Sequence, residues 1–259
     1  MTQQERRPYI RFILIGMAAG FLSGMFGIGG GILIVPALLW ATSLSRKQAS
    51  GTSLAAIVPV AAVGVVSYAI AGAVDLLVAA ILAAGAIVGA QIGTWLLERL
   101  SNTVIRWAFI VFLIVMVVQL FLTVPDRDSD LTMSFITGAG LVALGVLTGV
   151  LSGLLGVGGG IVVVPILIVV FGASDLVAKG TSLLMMIPTA VSGTIANARR
   201  KNVDLVAAVI IGVAACAITP LGALLAVNLD PEVANYLLAA LIIVIAIRMI
   251  IEAITSRKK

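Results

Sequence analysis

GFLSGMFGIGGGILIVP (Gly20–Pro36) returns later in the chain as GVLSGLLGVGGGIVVVP (Gly149–Pro165). Gly149 stands 129 residues after Gly20, and the offset holds without a gap on either side. GTSL occurs at Gly51–Leu54 and at Gly180–Leu183, Pro59 matches Pro188, and Gly64 matches Gly193. VDL occurs at Val74–Leu76 and Val203–Leu205, Gly93 matches Gly222 and, upstream, Gly16 matches Gly145. The chain therefore reads as two copies of one unit, roughly residues 9–123 and 138–252, joined by PDRDSD. Residues 1–124 form the first membrane repeat, 125–133 an acidic extracytoplasmic linker and 134–259 the second repeat, all within one integrated transmembrane domain.

Composition decides what the repeated unit is made of. Hydrophobic residues are 61% of the 259 and charged residues 10%, where a soluble domain carries about a quarter charged. Mean hydropathy is +1.24. A soluble fold has no interior large enough for that surface, so the chain is an integral membrane protein. The apolar runs are long and lack alternation, and lipid demands that each segment satisfy its own backbone. The class is an all-α polytopic membrane protein. Each copy divides into about five apolar segments: Ile10–Met25, Ile32–Leu44, Thr52–Ala73, Leu76–Leu97 and Ile105–Thr123, then Ser134–Leu154, Ile161–Phe171, Thr181–Ala198, Leu205–Val227 and Val233–Ile251. Breaks fall at Gly, Pro, Asp and basic clusters.

The net charge of +5 reflects basic residues scattered between apolar runs, not a nucleic-acid surface. With the N-terminus in the cytoplasm and five passages per copy, all 16 Lys and Arg except Arg127 and Lys179 fall inside, and the C-terminus returns inside. An odd number of passages turns the second copy upside down. Charges at matched positions agree: Arg46 and Lys47 align with Asp175 and Leu176, and Ala71 and Gly72 with Arg200 and Lys201. Inverted repeats recur in secondary transporters, which bind substrate at the midplane between them.

The second segment of each copy is short for a passage, so it either thins the bilayer or does not cross fully. Ile32–Leu44 amounts to roughly 20 Å of helix against a hydrocarbon core of about 30 Å. The expected form is a broken hairpin: a helix enters, unwinds at the glycines, and a short helix leaves. Unwound backbone within the membrane is tolerated where it is buried in protein or lines a wet cavity. The short helices then offer their N-termini, whose free N–H groups and partial positive charge suit a small anion without a buried Arg or Lys. The candidate ligands are Gly27, Gly29, Gly30 and Gly31 in the first tip and Gly156, Gly158, Gly159 and Gly160 in the second, with Ser23 and Ser152 one turn before. Gly16, Gly20 and Gly24, and Gly145, Gly149 and Gly153, form small-xxx-small rows and read instead as helix packing.

GTSL supplies the remaining candidates. Thr52, Ser53, Thr181 and Ser182 follow a glycine and read either as N-caps of the third helix of each copy or as hydroxyl ligands. Pro59 and Pro188, about two turns further on, are expected hinges because proline frees a carbonyl and kinks the helix. Gln91 and Thr94 are polar on an apolar helix, and their counterparts Pro220 and Ala223 make the site unsymmetrical; Asn197, opposite Tyr68 in the alignment, is another polar candidate.

The doubled LSG-(M/L)-(F/L)-G-(I/V)-GGG-(I/V) with its following proline, together with the doubled GTSL, resembles the TauE/SafE family of sulfite exporters and related anion permeases. The resemblance covers nearly the whole chain. It implies transport, usually export, of a small sulfur-containing anion, of the sulfite or organosulfonate type, across the bacterial inner (plasma) membrane. Members are commonly described with about eight spans, against the ten apolar segments counted here.

Other classes lack their residues. The chain contains no histidine and one cysteine, Cys216, so a serine-protease dyad and a zinc site are unsupported. The glycine runs follow no strand and precede no Lys-Ser/Thr, so they fit no nucleotide fingerprint. The expectation is a transporter, not an enzyme, without metal or cofactor. Its partners are a small anionic substrate and the lipid bilayer, not nucleic acid, and the sequence is compatible with a homo-oligomer. A passive anion channel is the alternative. All acidic residues lie at segment ends, Asp75 and Asp204 included. A buried proton-relay carboxylate is therefore not expected, and an inside-negative potential alone is expected to drive efflux.

Overall fold

Glycine and proline punctuate the apolar runs, and helices form between the breaks. The computed structural model describes residues 9–97, 102–122, 134–155 and 158–255. The helices are α1 (Tyr9–Phe26), α2 (Gly31–Ala41), α3 (Arg46–Ile70), α4 (Leu76–Leu97) and α5 (Asn102–Leu122), then α6 (Phe135–Leu155), α7 (Gly160–Val169), α8 (Asp175–Arg199), α9 (Leu205–Asn228) and α10 (Pro231–Thr255). No strand occurs among the described residues. Six of the helices, α1, α3, α6, α8, α9 and α10, carry windows long and apolar enough to cross a membrane. α4 and α5 have 22 and 21 residues. By contrast α2 and α7 have 11 and 10 residues, about 15 Å of rise each, half the hydrocarbon thickness.

These short helices fold back. The Arg11 guanidinium donates from Nη1 to the Ala41 carbonyl at 3.2 Å, joining the start of α1 to the end of α2. In the second half, Gly140 near the start of α6 lies beside the Phe171 ring at the end of α7, which a methyl on Gly140 would meet at 3.1 Å. Arg11 and Gly140 are matched positions 129 residues apart, and Phe171 stands one residue beyond the match of Ala41. Each pair is thus a hairpin that returns the chain to the side it started from.

Packing exchanges partners between the halves. α1 lies along α9, and α4 lies along the α6 of the second copy; α3 packs on α8 at the centre, and α5 on α10. The glycine rows make the first two contacts close. A Cβ on Gly16, Gly20 or Gly24 would overlap the carbonyls of Ile211, Ala215 and Thr219, and one on Gly145 or Gly149 those of Leu82 and Ala86. Rows spaced by four meet carbonyls spaced by four, the geometry that small residues permit between membrane helices. The side of Gly153 lies outside the described residues.

The third helix of each copy begins earlier than the sequence reading placed it. α3 starts at Arg46, not Thr52, and α8 at Asp175, not Thr181. Their N-caps are Ser45 and Ser174, whose side chains accept from Gln48 N–H and Val177 N–H, both at 3.3 Å. Gln48 answers through Oε1 to the Ser45 N–H at 3.0 Å, completing a capping box. Thr52, Ser53, Thr181 and Ser182 therefore lie inside their helices, and their N-cap reading is replaced. α3 and α8 run on through Pro59 and Pro188, each of which leaves the carbonyl four residues earlier without its helical partner.

Candidate functional site

Each hairpin tip is built from backbone that only glycine adopts readily. Gly30 ends the first tip at φ 72° and Gly159 the second at φ 84°; Gly27, Gly29 and Gly158 are also left-handed. In that conformation the chain turns tightly enough for α2 and α7 to begin one residue later, at Gly31 and Gly160. Each helix starts without a side-chain cap. The first α2 bonds run from Leu33 and Ile34 N–H to Gly30 O, and the first α7 bonds from Val162 and Val163 N–H to Gly159 O. The N–H groups of Gly31, Ile32, Gly160 and Ile161 consequently have no acceptor within their own helix.

The tips meet. A methyl on Gly160 would lie 2.8 Å from Ile28 Cα and 2.9 Å from Gly27 O, so the second tip touches the first directly. Met186 of α8 lies against Gly29, Gly158 and Gly160, and Ile57 of α3 against Gly29 and Gly158. Gly27 to Gly31 and Gly158 to Gly160 are all buried. The junction is the middle of a core that includes Ile28, Ile57, Ile161 and Met186.

Three serines stand one helical turn from residues of this junction. Ser53 precedes Ile57 by one turn and Ser182 precedes Met186 by one turn, so each shares the helix face that touches the tips. Ser23 stands one turn before Gly27, whose N–H it binds through its own carbonyl at 2.9 Å. All three serines are 0% exposed, and their Oγ atoms make no hydrogen bond. A buried hydroxyl without a partner costs about 1–3 kcal/mol, and each of these three stands one turn from a residue of the tip junction. Ser152, the counterpart of Ser23, is half-buried.

The threonines of GTSL face elsewhere. Thr181 Oγ1 accepts from the Asp75 N–H at 3.0 Å and Thr52 Oγ1 from the Asp204 N–H at 2.9 Å. Each holds the connection before α4 or α9 of the opposite half. Gln91 is exposed on α4. Gly156 and the side chain of Thr94 lie outside the described residues. Asn197 bonds within its own helix, to Gly193 O at 2.9 Å, whereas Tyr68 donates its hydroxyl to Gly24 O at 2.6 Å, tying α3 to the last turn of α1.

One charged pair was missed. Asp175 and Lys179, which the passage count assigns to an extracytoplasmic end, are each only 1% exposed. Lys179 Nζ donates to Asp175 Oδ2 at 2.9 Å. A methyl on Gly27 would meet Lys179 Cα at 2.5 Å, so the root of this lysine lies against the first tip. The pair stands at the start of α8, a segment end as the sequence has it, yet it is buried. A local signal was available: Ser-Asp-x-x-x-Lys places a serine cap, an acid in the first turn and a base at i+4. Distance from a segment end was read as exposure, although neighbouring helices cover that end of α8.

Residues 1–120 and 141–259 match one family model, described as Sulfite exporter TauE/SafE. A probable membrane transporter protein, YunE, of Bacillus subtilis (strain 168) is 24% identical over 96% of this chain and 99% of its own length. Probable membrane transporter proteins of Haemophilus influenzae and Methanocaldococcus jannaschii are 32% and 28% identical, each over 60% of this chain and 61% and 60% of their own lengths. No solved structure matches the chain.

Proposed function

The chain belongs to the sulfite exporter TauE/SafE family, and we propose on that premise that this multi-pass membrane transporter carries a small sulfur-containing oxoanion, held between its two glycine tips. What supports the reading is that three buried, unpartnered serine hydroxyls each stand one helical turn from a residue at the meeting of two helix N-termini that carry no side-chain cap. Hydroxyls and backbone N–H groups are donors. An oxoanion presents several acceptor oxygens and a negative charge, which complements both the donors and the positive ends of α2 and α7. Thr52 and Thr181 belong to the scaffold in this reading, and Pro59 and Pro188 are the hinges by which α3 and α8 alternately uncover the tips. The halves are inverted across the membrane, so the junction lies near the midplane. The termini are cytoplasmic, as the basic residues favour in a bacterial inner membrane, and the direction is export.

The test is to remove the hydroxyls. Ser23→Ala, Ser53→Ala and Ser182→Ala delete groups that bond to nothing in the protein, so melting temperature in detergent should hold or rise. Stabilisation by sulfite, sulfate or thiosulfate should fall, most of all in the triple variant. A triple variant that still gains full thermal stability from these anions would overturn the site.

A further inference from the structure

We propose that Lys179 is the cationic ligand of the transported anion, and that Asp175 is the resident counter-ion it leaves when the anion arrives. This rests on the anion reading above and adds to it a charged ligand that neither the glycine motif nor GTSL contains.

Asp175, Lys179, Ser182 and Met186 follow one another at i, i+4, i+7 and i+11, which is a single stripe of α8. All four are buried. The first tip runs along this stripe, with Gly27 against Lys179 and Gly29 against Met186. The ammonium is thus carried on the same helix face as the unpartnered Ser182 hydroxyl and the residue that fills the junction of the tips.

The scaffold does not need the pair. The N-cap serines, the threonine bonds and the glycine seams all occur twice, at matched positions. Asp175 and Lys179 occur once, and the first copy has Arg46 and Ser50 in their places. The first copy forms the matching helix start with no acid and base at these two positions, so the serine cap and the hairpin do not themselves call for the pair. Burying such a pair is costly, and a well-packed apolar replacement is often as stable. Ionisable groups inside membrane proteins face the substrate path as a rule.

Charge supplies the reason for a lysine. A helix N-terminus is worth roughly half a positive charge, so the two tips offset about one negative charge. A divalent oxoanion brings two. In this structure Asp175 holds the Lys179 ammonium. When the anion enters, an ammonium–oxoanion hydrogen bond replaces the ammonium–carboxylate one, a charge-assisted contact for another of the same kind. While the anion is bound Asp175 lacks its lysine, a cost that favours recapture of the ammonium and release of the anion.

The experiment is an anion titration of thermal stability with the purified full chain and inorganic sulfate, thiosulfate and sulfite as probes. Asp175→Asn removes the competitor and should lower the half-saturating anion concentration, on the order of tenfold for the loss of one charged hydrogen-bond rival. The neutral pairs Lys179→Met with Asp175→Asn, and Lys179→Gln with Asp175→Asn, remove both charges of the pair together and should fold while losing anion stabilisation. Unchanged anion stabilisation in a folded neutral pair overturns the proposal, and so does failure of both neutral pairs to fold, because the scaffold would then depend on the ion pair. Loss of stabilisation in the serine variants together with its retention in the neutral pairs sinks this inference and leaves the tip site standing. Absence of any anion effect on the unaltered protein sinks both.

Discussion

Thr181 Oγ1 accepts a hydrogen bond from the Asp75 N–H at 3.0 Å, and the same bond recurs from Asp204 N–H to Thr52 Oγ1 at 2.9 Å. The glycine before each threonine makes room for it. A Cβ on Gly180 would overlap Ala73 O and come within 2.8 Å of Tyr68 Cβ; one on Gly51 would overlap Asn202 O and come within 3.0 Å of Asn197 Cβ. Gly-Thr is therefore a seat on which each half receives the turn before α4 or α9 of the other. Asp75 and Asp204 complete it by capping the next helix, accepting from the N–H groups of Leu77 and Val78 and of Val206 and Ala207.

Thr52→Val and Thr181→Val keep the shape and remove the acceptor, leaving the Asp204 or Asp75 N–H without its partner. Each should cost about 1–3 kcal/mol and lower the melting temperature, while Thr→Ser at the same positions restores most of it. A Val variant that melts with the unaltered protein would show that the bond does not hold the halves together.

The packing seams predict a different failure. Gly20→Ala and Gly149→Ala push a methyl into the Ala215 and Ala86 carbonyls, and backbone has to move, at a cost of about 1–3 kcal/mol or more. Folded yield on size-exclusion chromatography should drop for both variants. Whatever protein survives should still respond to anion, because neither residue touches the tips.

Tip variants should show the converse. Gly159→Ala places its methyl 3.0 Å from Thr148 Cγ2, and Gly30→Ala places its own 2.8 Å from Ala19 O. Both must also hold alanine in left-handed backbone, at roughly 1–2 kcal/mol. Gly159→Ala is the milder and should reach the membrane in near-normal amount, yet lose anion-dependent stabilisation. If it and Gly149→Ala fail alike, through loss of folded protein, the tip glycines serve packing and not a ligand.

A transporter and a passive channel differ in what the far side does. In proteoliposomes, unlabelled sulfite or thiosulfate on the trans side should accelerate entry of labelled anion, since a carrier returns faster loaded than empty; a channel gives no such exchange. With equal pH on both sides, an inside-negative potential should by itself drive efflux, at about 2.3 kcal/mol per charge per 100 mV. A strict requirement for a proton gradient would instead make the potential insufficient.

The apolar composition, the two copies and the broken hairpins were legible in the residues because each is a local or periodic property. Lipid permits only self-satisfied helices, and four glycines followed by a run too short to cross admit few other forms. Even the caps at Ser45 and Ser174 were written locally, in Ser-x-x-Gln and Ser-Asp, but lay hidden in what reads as the break before a span. What tertiary structure alone decided is which faces meet. GTSL looks like two adjacent hydroxyls in either copy, yet residues on neighbouring positions of a helix point about 100° apart, and the partners of Thr52 and Thr181 are 152 and 106 residues away. Only the docking of one half on the other engages the threonines and leaves Ser53 and Ser182 unpartnered. The same docking covers the end of α8 and turns Asp175 and Lys179, which sequence position places at a boundary, into a buried pair beside the first glycine tip.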